Sequence, residues 1–300
     1  MLVQIEKEPA QPRLPDFLRK PQHEFQAVTE LKRELRALHL HTVCESARCP
    51  NIHDCFSRGT ATFMILGNLC TRGCGFCSVP KADPRKVQFE LDPNEPAHVA
   101  AQALAMGLRY VVLTSVNRDE LWDGGSTHWA ATVRAVRAAL PEAQVEVLTP
   151  EFNGDLEAVE RVLAAKPHVY NHNMETVSRL YRRVRPQADY AQSLRVLAYA
   201  KQSHPEILSK SGLMVGLGET HDEVKALLRD LRTEGNADIA TIGQYLQPTR
   251  RNAKVDRYVE PAEYEQWRAY GMSLGFRAVF AGPFVRSSYM ADLVAHEAAT

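Results

Sequence analysis

The residues best suited to chemistry in this chain are its cysteines, and three of them stand close together. Cys70, Cys74 and Cys77 form a Cys-x3-Cys-x2-Cys pattern on a glycine-containing loop. The loop follows an apolar run at residues 62–66, which predicts a buried strand. Three thiolates at this spacing suit an iron-sulfur cube, whose usual complement is four cysteines. One iron would remain open to a small chelating cofactor.

The other three cysteines form a second triplet, Cys44, Cys49 and Cys55, spaced Cys-x4-Cys-x5-Cys with no obvious fourth ligand. Taken alone, this pattern is also compatible with a zinc knuckle or a redox loop. A zinc site at the later loop, with His53 as a ligand, is a further alternative that the x3-then-x2 spacing disfavours. Disulfides are disfavoured as well, because clustered cysteines in a reducing compartment are more often metal ligands.

The composition indicates one soluble domain and gives no sign of a nucleic-acid or membrane protein. The 300 residues are 45% hydrophobic, with 36 basic and 36 acidic side chains, so no delocalised positive field is available for nucleic acid. The opening residues 1–8 lack the apolar region of a signal peptide, and no apolar stretch could span a bilayer. We therefore expect a cytoplasmic protein without nucleic-acid or membrane partners.

The elements that must position the cysteines read as alternating strands and helices. An amphipathic helix is predicted from Glu24 to Leu38, and later helices at 96–106, 129–140, 156–165, 190–201 and 222–234. Six strands are predicted at 62–66, 110–114, 145–149, 168–172, 212–215 and 239–242. Repeats of this length predict an α/β fold with a parallel sheet that curls into a barrel or part of one.

Polar residues follow several of these strands, where a barrel gathers its active site. The segments concerned begin at Asn117, Thr149, Asn171 and Gly216. A dinucleotide-binding interpretation of Gly216-x-Gly218 fails, because position 221 is histidine rather than glycine.

The first cysteine pattern resembles the signature of the radical S-adenosylmethionine (SAM) enzymes. In that family the three cysteines hold a 4Fe-4S cluster, and SAM chelates the fourth iron. The resemblance implies a partial (β/α)6 TIM-type barrel whose open face is covered by N-terminal and C-terminal extensions. Gly212, Met214, Gly216 and Glu219 resemble its Gly-x-Ile-x-Gly-x-x-Glu segment, with methionine in the isoleucine position. The SAM contacts that we expect on this basis are Asn117, Asn171, Asn173, Gly216 and Glu219.

The two triplets together with the tail sequence Arg286-Ser287-Ser288-Tyr289 resemble the lipoyl synthase family. The resemblance implies that Cys44, Cys49 and Cys55 hold an auxiliary 4Fe-4S cluster that supplies sulfur, with Ser288 as fourth ligand and Ser287 as the alternative. It also implies insertion of two sulfur atoms, at carbons 6 and 8 of an octanoyl group on a lysine. The chain would divide into an N-terminal extension at 1–60, a barrel at 61–281 and a tail at 282–300.

The same resemblance implies partners. The octanoyl group would be carried by a lipoyl carrier domain, either of a 2-oxoacid dehydrogenase acyltransferase subunit or of a glycine cleavage H protein. Electrons would come from a donor such as flavodoxin or ferredoxin, and the enzyme would be a monomer. Competing interpretations are an electron carrier, a biotin-synthase-type enzyme and a zinc-binding interaction module.

Several polar residues remain open between a site and a structural role. His172 could serve either, while His41 and His53 favour surface or supporting roles. A basic run, Arg179, Arg182, Arg183 and Arg185, is typical of a solvated helix face but could also dock an acidic partner. Family members often carry a His-Leu-Pro-like stretch where this chain has Asn252-Ala253-Lys254, so the role of that loop is open. An apolar slot for the octanoyl chain is equally open between core and site for Met64, Val112, Leu148 and Met214.

Overall fold

The computed structural model of the chain describes residues 13–19, 33, 40–42, 45, 51, 62–86 and 90–288. Several predictions lie outside these residues: the helix from Glu24, the ligand positions Cys44, Cys49 and Cys55, and the end of the tail from Tyr289 onward. Ser288 is the last residue described.

One sheet organises the described part of the chain. Its eight strands are β1 (His41–Thr42), β2 (Thr62–Ile65), β3 (Tyr110–Ser115), β4 (Gln144–Leu148), β5 (Val169–Asn171), β6 (Leu208–Val215), β7 (Ile239–Gln244) and β8 (Ala278–Gly282). Their order across the sheet follows their order in the chain. From β2 to β8 all neighbours are parallel, whereas β1 pairs with β2 in the antiparallel sense. Among the described residues the sheet is therefore an open one with β1 and β8 at its edges.

Helices connect consecutive parallel strands and bury their apolar sides against the sheet. They are α1 (Glu95–Ala105), α2 (Ser126–Ala139), α3 (Leu156–Leu163), α4 (Tyr181–Val184), α5 (Tyr190–Ser203), α6 (His221–Thr233) and α7 (Pro261–Ser273). Side chains fix several helix starts close to the strand ends. Asp155 accepts from two backbone N–H groups at the start of α3, and Thr220 forms a capping box with Glu223 at the start of α6. The loops between strand and helix consequently have defined positions.

The predicted α/β architecture is confirmed, and all six predicted strands are present. Two further strands, β1 and β8, were not predicted. The first has only two residues, and the second reads Ala-Val-Phe-Ala-Gly, in which small residues obscure the strand pattern. The helix α7 was also missed, since Tyr264, Trp267 and Gly271 are its buried residues and do not form a strong apolar stripe.

A polar cluster lies inside the sheet, in addition to the large apolar core shared by strands and helices. Lys210 on β6 places its Nζ 3.0 Å from both carboxylate oxygens of Glu146 on β4. Tyr110 and Asn171 donate to the same carboxylate at 2.7 and 2.9 Å. All these groups are buried, and their hydrogen bonds offset the cost of removing the charges from water.

The C-terminal ends of the strands form a mouth that the tail crosses. After β8 the chain passes over the end of β7, where a Cβ at Gly243 would overlap the carbonyl of Val285. Glycine at this position therefore lets the tail approach the sheet backbone closely. Beneath the tail lies a cavity of about 450 Å³. No helix within the described ranges is long and apolar enough to cross a membrane.

Candidate functional site

The cavity at the mouth collects residues from distant parts of the chain. Its wall includes all three cysteines of the first pattern, together with Ser287 and Ser288 of the tail. Asn117 and Asn173, two of the predicted SAM contacts, also line it. Residues more than 200 positions apart in the sequence thus meet at one opening, as the convergence of parallel strand ends requires.

The cysteine loop begins with a set of short contacts at the ends of β2 and β3. Cys70 N–H donates to Pro80 O at 2.9 Å, and Thr71 N–H donates to Asn117 O at 3.1 Å. The N–H of Asn117 points at Cys70 Sγ, 3.4 Å away. The three thiols are free of disulfides. Burial raises the pKa of Cys74, and it raises that of Cys77 to about 11, so both are protonated thiols until a metal displaces the proton.

The outer side of the same loop is fastened by backbone hydrogen bonds to two other segments. Gly75 N–H donates to Val184 O at 2.9 Å, and Gly75 O accepts from Ala253 N–H at 2.8 Å. Asn252 donates its side-chain amide to Cys77 O at 2.9 Å. The loop whose role the sequence left open therefore holds the cysteine loop in place.

Arg72, between the first two cysteines, ties the loop to the ends of β3 and β4. Its guanidinium donates to Asp119 at 2.7 and 2.8 Å, to Glu151 and to Asn153. Arg72 is 3% exposed and Glu151 is fully buried. A second guanidinium, that of Arg185, lies 3.6 Å from the other oxygen of Glu151.

The charge state of this network follows from its partners. Burial alone would raise the pKa of Glu151, but His172 and the guanidinium groups of Arg72 and Arg185 together lower it. His172 is itself neutral near pH 7, since burial and Arg185 lower its pKa to about 4. The two arginines are therefore the cations that keep the buried carboxylate ionised.

His172 presents one unprotonated nitrogen to the cavity. Its Nδ1 lies 2.9 Å from Thr149 O, and a carbonyl only accepts, so Nδ1 carries the proton. Nε2 has no hydrogen-bond partner among the described residues. Because His172 lines the cavity, the structure favours a site role over the structural role that the sequence left open.

Asn173 connects the end of β5 to the tail. Its amide donates to Glu175 Oε1 at 3.0 Å and to Ser287 Oγ at 3.3 Å. Burial raises the pKa of Glu175. Gly212 makes room for this amide, because a Cβ there would lie 2.8 Å from Asn173 Oδ1. The first glycine of the Gly-x-Ile-x-Gly-x-x-Glu-like segment thus serves to seat Asn173.

The second half of that segment is a turn stabilised by its own glutamate. The carboxylate of Glu219 accepts from the backbone N–H groups of Gly216 and Leu217, and burial raises its pKa. Gly216 adopts φ +97°, and a Cβ there would lie 2.6 Å from Arg257 O. Neither Gly216 nor Glu219 lines the cavity, so in the structure they shape the turn beside it.

Asn171, another of the predicted SAM contacts, lies inside the sheet. Its amide donates to Glu146 inside the sheet, and the residue does not line the cavity. Arg72 and Arg185 line the cavity although the sequence did not predict them there, and Glu151, which also lines it, belongs to the predicted segment that begins at Thr149. Arg185 is buried and donates to Asn173 O at 2.8 Å, so the solvated-face interpretation of the basic run is wrong for this member. The exposed Arg179, Arg182 and Arg183 agree with it.

The tail carries Ser288 to the cavity, and a residue between Cys49 and Cys55 reaches the same tail. Buried Asn51 donates its amide to Phe284 O at 2.8 Å. The hydroxyl of Ser287 accepts from Asn173, whereas that of Ser288 has no hydrogen-bond partner within the described ranges.

The wall of the cavity fits the groups that the sequence implies. Three thiols on one short loop match a three-cysteine cluster. No three ligand side chains of the described residues surround a single metal-ion position, and a cube does not require this, because each thiolate binds its own iron. Buried His172 Nε2, Asn173 Oδ1 and Glu151 Oε2 have no hydrogen-bond partners among the described residues, so polar groups of a cofactor can satisfy them. The volume suits a small-molecule site.

Apolar side chains cover another part of the wall. Met64, Leu148 and Met214 line the cavity, together with Phe76 and Val116. Val112 does not, because it packs in a small separate core cluster. Three of the four residues that the sequence left open are therefore available to an apolar substrate chain.

Comparison with known proteins agrees with this fold. The chain matches the family model of the Radical SAM superfamily over residues 64–231. A solved methylornithine synthase is similar with a TM-score of 0.56 and 13% identity, covering 84% of this chain and 70% of that one. Streptococcus suis SuiB bound to S-adenosylmethionine gives a TM-score of 0.53 and 14% identity, covering 83% and 58%. Fold and cysteine loop thus define a radical SAM enzyme.

More specific matches extend to the N-terminal residues. Residues 2–49 match the model of the N-terminal domain of lipoyl synthase of the Radical SAM family. The lipoyl synthase of Thermus thermophilus is 52% identical over 298 residues, covering 99% of this chain and 91% of that protein. That of Rubrobacter xylanophilus is 55% identical over 262 residues, covering 87% and 80%. The chain belongs to the lipoyl synthase family.

Proposed function

We propose that the chain inserts two sulfur atoms, at carbons 6 and 8, into an octanoyl group that is amide-linked to a lysine of a carrier protein. The observation that carries the proposal is that one cavity is lined by the three cysteines of the first pattern, by apolar residues and by the serines of the tail. Unactivated C–H bonds are beyond acid–base catalysis by side chains, so the reaction needs cofactor chemistry.

Two clusters and SAM would supply that chemistry. Cys70, Cys74 and Cys77 would hold the 4Fe-4S cluster that binds SAM. When bound, these groups supply one-electron chemistry that removes hydrogen from carbon, and an auxiliary 4Fe-4S cluster supplies the sulfur. Cys44, Cys49 and Cys55 with Ser288 would hold the auxiliary cluster. Two observations support this assignment: Asn51 contacts the tail, and the hydroxyl of Ser288 has no hydrogen-bond partner among the described residues.

The protein's own residues would hold the cysteine loop, bind SAM and shield the octanoyl chain from water. Arg72 and Asn252 fix the cysteine loop from opposite sides. His172 offers a neutral nitrogen, and Asn173 an amide oxygen, to polar groups of SAM. Met64, Leu148 and Met214 would line the octanoyl chain and keep water from it. A hard serine oxygen matches iron less well than thiolate does, which suits a cluster that must give up an iron and its sulfide.

The partners proposed are those that the reaction requires. The octanoyl group would arrive on the lipoyl domain of a 2-oxoacid dehydrogenase acyltransferase subunit or on a glycine cleavage H protein. A flavodoxin or ferredoxin would donate electrons. The clusters need a reducing compartment, which supports action in the cytoplasm, and we propose that the chain acts as a monomer.

Anaerobic reconstitution followed by iron analysis, a SAM cleavage assay and mass spectrometry of an octanoyl-lysine peptide tests the proposal. We expect about eight iron atoms per chain, formation of 5'-deoxyadenosine and gain of two sulfur atoms by the peptide. Cys44→Ala should retain SAM cleavage and lose sulfur insertion.

Ser288→Ala and Ser287→Ala form a matched pair for the fourth ligand. Loss of sulfur insertion in the first variant only is expected. About four iron atoms in the intact protein, or SAM cleavage without sulfur gain, would contradict the role of the auxiliary cluster.

A further inference from the structure

Asn252, in the loop after β7, has a defined hydrogen-bond partner at each of its polar atoms. Its backbone N–H donates to Thr249 O at 3.0 Å, and its carbonyl accepts from Gln247 Nε2 at 2.7 Å. The hydroxyl of Thr249 donates to Asn252 Oδ1 at 2.6 Å. This contact identifies the oxygen of the side-chain amide, so both hydrogens of Nδ2 are available to other acceptors.

The two amide hydrogens reach the backbone between the second and third cysteines of the first pattern. Asn252 Nδ2 lies 2.9 Å from Cys77 O and 3.3 Å from Gly75 O. Cys77 N–H donates back to Cys74 O at 3.3 Å, which closes a turn between these two cysteines. Asn252 therefore bridges this turn and contacts the residue that carries the third thiol.

The segment that carries Asn252 is itself anchored to the sheet. Tyr245, directly after β7, is buried, and its hydroxyl donates to Ala253 O at 2.7 Å. Ala253 N–H in turn donates to Gly75 O at 2.8 Å. A Cβ at Gly75 would lie 3.4 Å from Arg183 O and 4.0 Å from the Cβ of Ala253, so the turn fits closely between α4 and the loop. The amide is thus held on a rigid support, as the positioning of a ligand requires.

The position of Asn252 separates it from the residues that contact cofactor or substrate. Neither Asn252 nor Thr249 lines the cavity, whereas Cys77 does. Groups that hold metal ligands from outside typically contribute about 10–100-fold to metal affinity. A donor on the carbonyl of Cys77 fixes the backbone from which the thiolate extends, so this ligand is presented in one place.

We propose that Asn252 is a positioning residue for the cluster on Cys70, Cys74 and Cys77. Its amide keeps the turn between the second and third cysteines closed and thereby slows loss of the cluster, and Thr249 sets the orientation of the amide. No covalent bond forms or breaks in this role. The inference rests on the proposed function in requiring a cluster on the first cysteine pattern, but it does not depend on sulfur insertion.

Challenge of the reconstituted protein with an iron chelator tests the proposal. In the reference protein, which is the full chain, Cys44, Cys49 and Cys55 are changed to alanine, so that the released iron comes from the first pattern alone. An excess of a strong iron chelator is added without oxygen, and the rate of iron release is followed by absorbance of the iron–chelator complex.

Two substitutions act on the contact, and a third is the matched control. Asn252→Ala removes both amide donors, and Thr249→Val removes the hydroxyl that orients them. Thr132→Val makes the same chemical change within α2, where it removes a hydroxyl that donates to His128 O at 2.9 Å. Thermal unfolding of the cluster-free proteins reports the effect of each substitution on the fold itself.

We expect Asn252→Ala to release iron about tenfold faster than the reference protein, and Thr249→Val about threefold faster. Thr132→Val should stay within about twofold of the reference, because distant sites act independently. Asn252→His should stay within about threefold, since an imidazole N–H can donate to one of the two carbonyl groups. The unfolding temperature of the cluster-free protein should fall no further in Asn252→Ala than in Thr132→Val.

Equal iron release from Asn252→Ala and the reference protein would overturn the proposal, as would an equal acceleration in Thr132→Val. Release from Asn252→His as fast as from Asn252→Ala would show that the donor is not what matters. A lower unfolding temperature in cluster-free Asn252→Ala than in the control would assign the residue to the fold and overturn its role toward the cluster. A reference protein that binds no iron would overturn both this inference and the cluster assignment.

The inference and the proposed function fail in different ways. The expected rates of iron release, combined with no gain of sulfur by the octanoyl-lysine peptide in the intact chain, would count against the proposed function. That result would leave the role of Asn252 intact.

Discussion

Removing Arg72 should destabilise the fold and loosen the cysteine loop at the same time. Glu151 is fully buried, and Arg72 provides the hydrogen bond to its Oε1. Its Oε2 has no hydrogen bond among the described residues, and Arg185 lies 3.6 Å away. Arg72→Met therefore leaves a buried carboxylate with no donor and one cation at a longer distance.

The expected loss of stability is that of removing one partner of a buried ion pair. Such a change costs about 3–5 kcal/mol of unfolding free energy, because the remaining charge is left uncompensated. Glu151→Gln should cost less than Arg72→Met, because Arg72 keeps its hydrogen bonds to Asp119, which is 29% exposed. In the double variant Arg72→Met/Glu151→Gln, neither the guanidinium nor the carboxylate of this pair remains. Its cost should fall short of the sum by about 1–3 kcal/mol.

Urea unfolding of the cluster-free protein measures these costs, with the fluorescence of buried Trp129 and Trp267 as the signal. The pKa of Glu151 is lowered in the fold. Its contribution is therefore complete above the unfolded pKa of about 4.3, and it is lost only as the pH falls through the folded value. A measurement at pH 7 contains all of it. Additive costs within about 0.5 kcal/mol, or a loss below about 1 kcal/mol for Arg72→Met, would refute the reasoning.

Three further predictions concern other parts of the mouth and sheet. Gly216→Ala should lower the free energy of unfolding by at least about 2 kcal/mol, because the new methyl group meets Arg257 O at a residue with φ +97°. Gly107→Ala, at φ +61° with open space around it, should cost about half of that. Thermal unfolding of both variants measures the difference. The pKa of His172 in the folded state, about 4, lies below its value in the unfolded state, so the unfolded state binds more protons at pH values between the two. The free energy of unfolding should therefore fall by about 3 kcal/mol from pH 6.5 to 4. His172→Gln should remove this part of the pH dependence when stability is measured by urea unfolding. Lys210→Met should cost about 3–5 kcal/mol by leaving Glu146 without its cation, yet it should leave iron content after reconstitution unchanged, because the pair lies inside the sheet.

The parallel strands could be predicted because each is a short apolar run bounded by polar residues. Tyr110–Ser115 and Ile239–Gln244 are of this kind, and both are buried along nearly their whole length. The strand Ala278–Gly282 has the same pairing geometry but is made mainly of small residues. Its position depends on its neighbour in the sheet, and local sequence carries little information about that contact.

Some residues of the site could likewise be predicted from the sequence, and others could not. The cysteines could be found because the ligands of a cluster on one loop are close in sequence. The pairing of Arg72 with Glu151 could not be found, since the two residues are 79 positions apart and meet only because two strand ends converge. Arg185 lies in a run of arginines whose other members are exposed. No local feature distinguishes the buried member from its neighbours.

The two asparagines at the end of β5 show how depth along a strand decides function. Side chains two positions apart on a strand point to the same face, and barrel interiors are filled in successive layers. Asn171 lies in the layer of Glu146 and Lys210, where its amide is needed to satisfy a buried carboxylate. Asn173 lies one layer nearer the mouth, beside Ser287 and Glu175. The same step separates Glu146 from Leu148, which lines the cavity. Asn171 and Glu146 therefore support the interior of the sheet, whereas Asn173 and Leu148, two positions later, line the cavity.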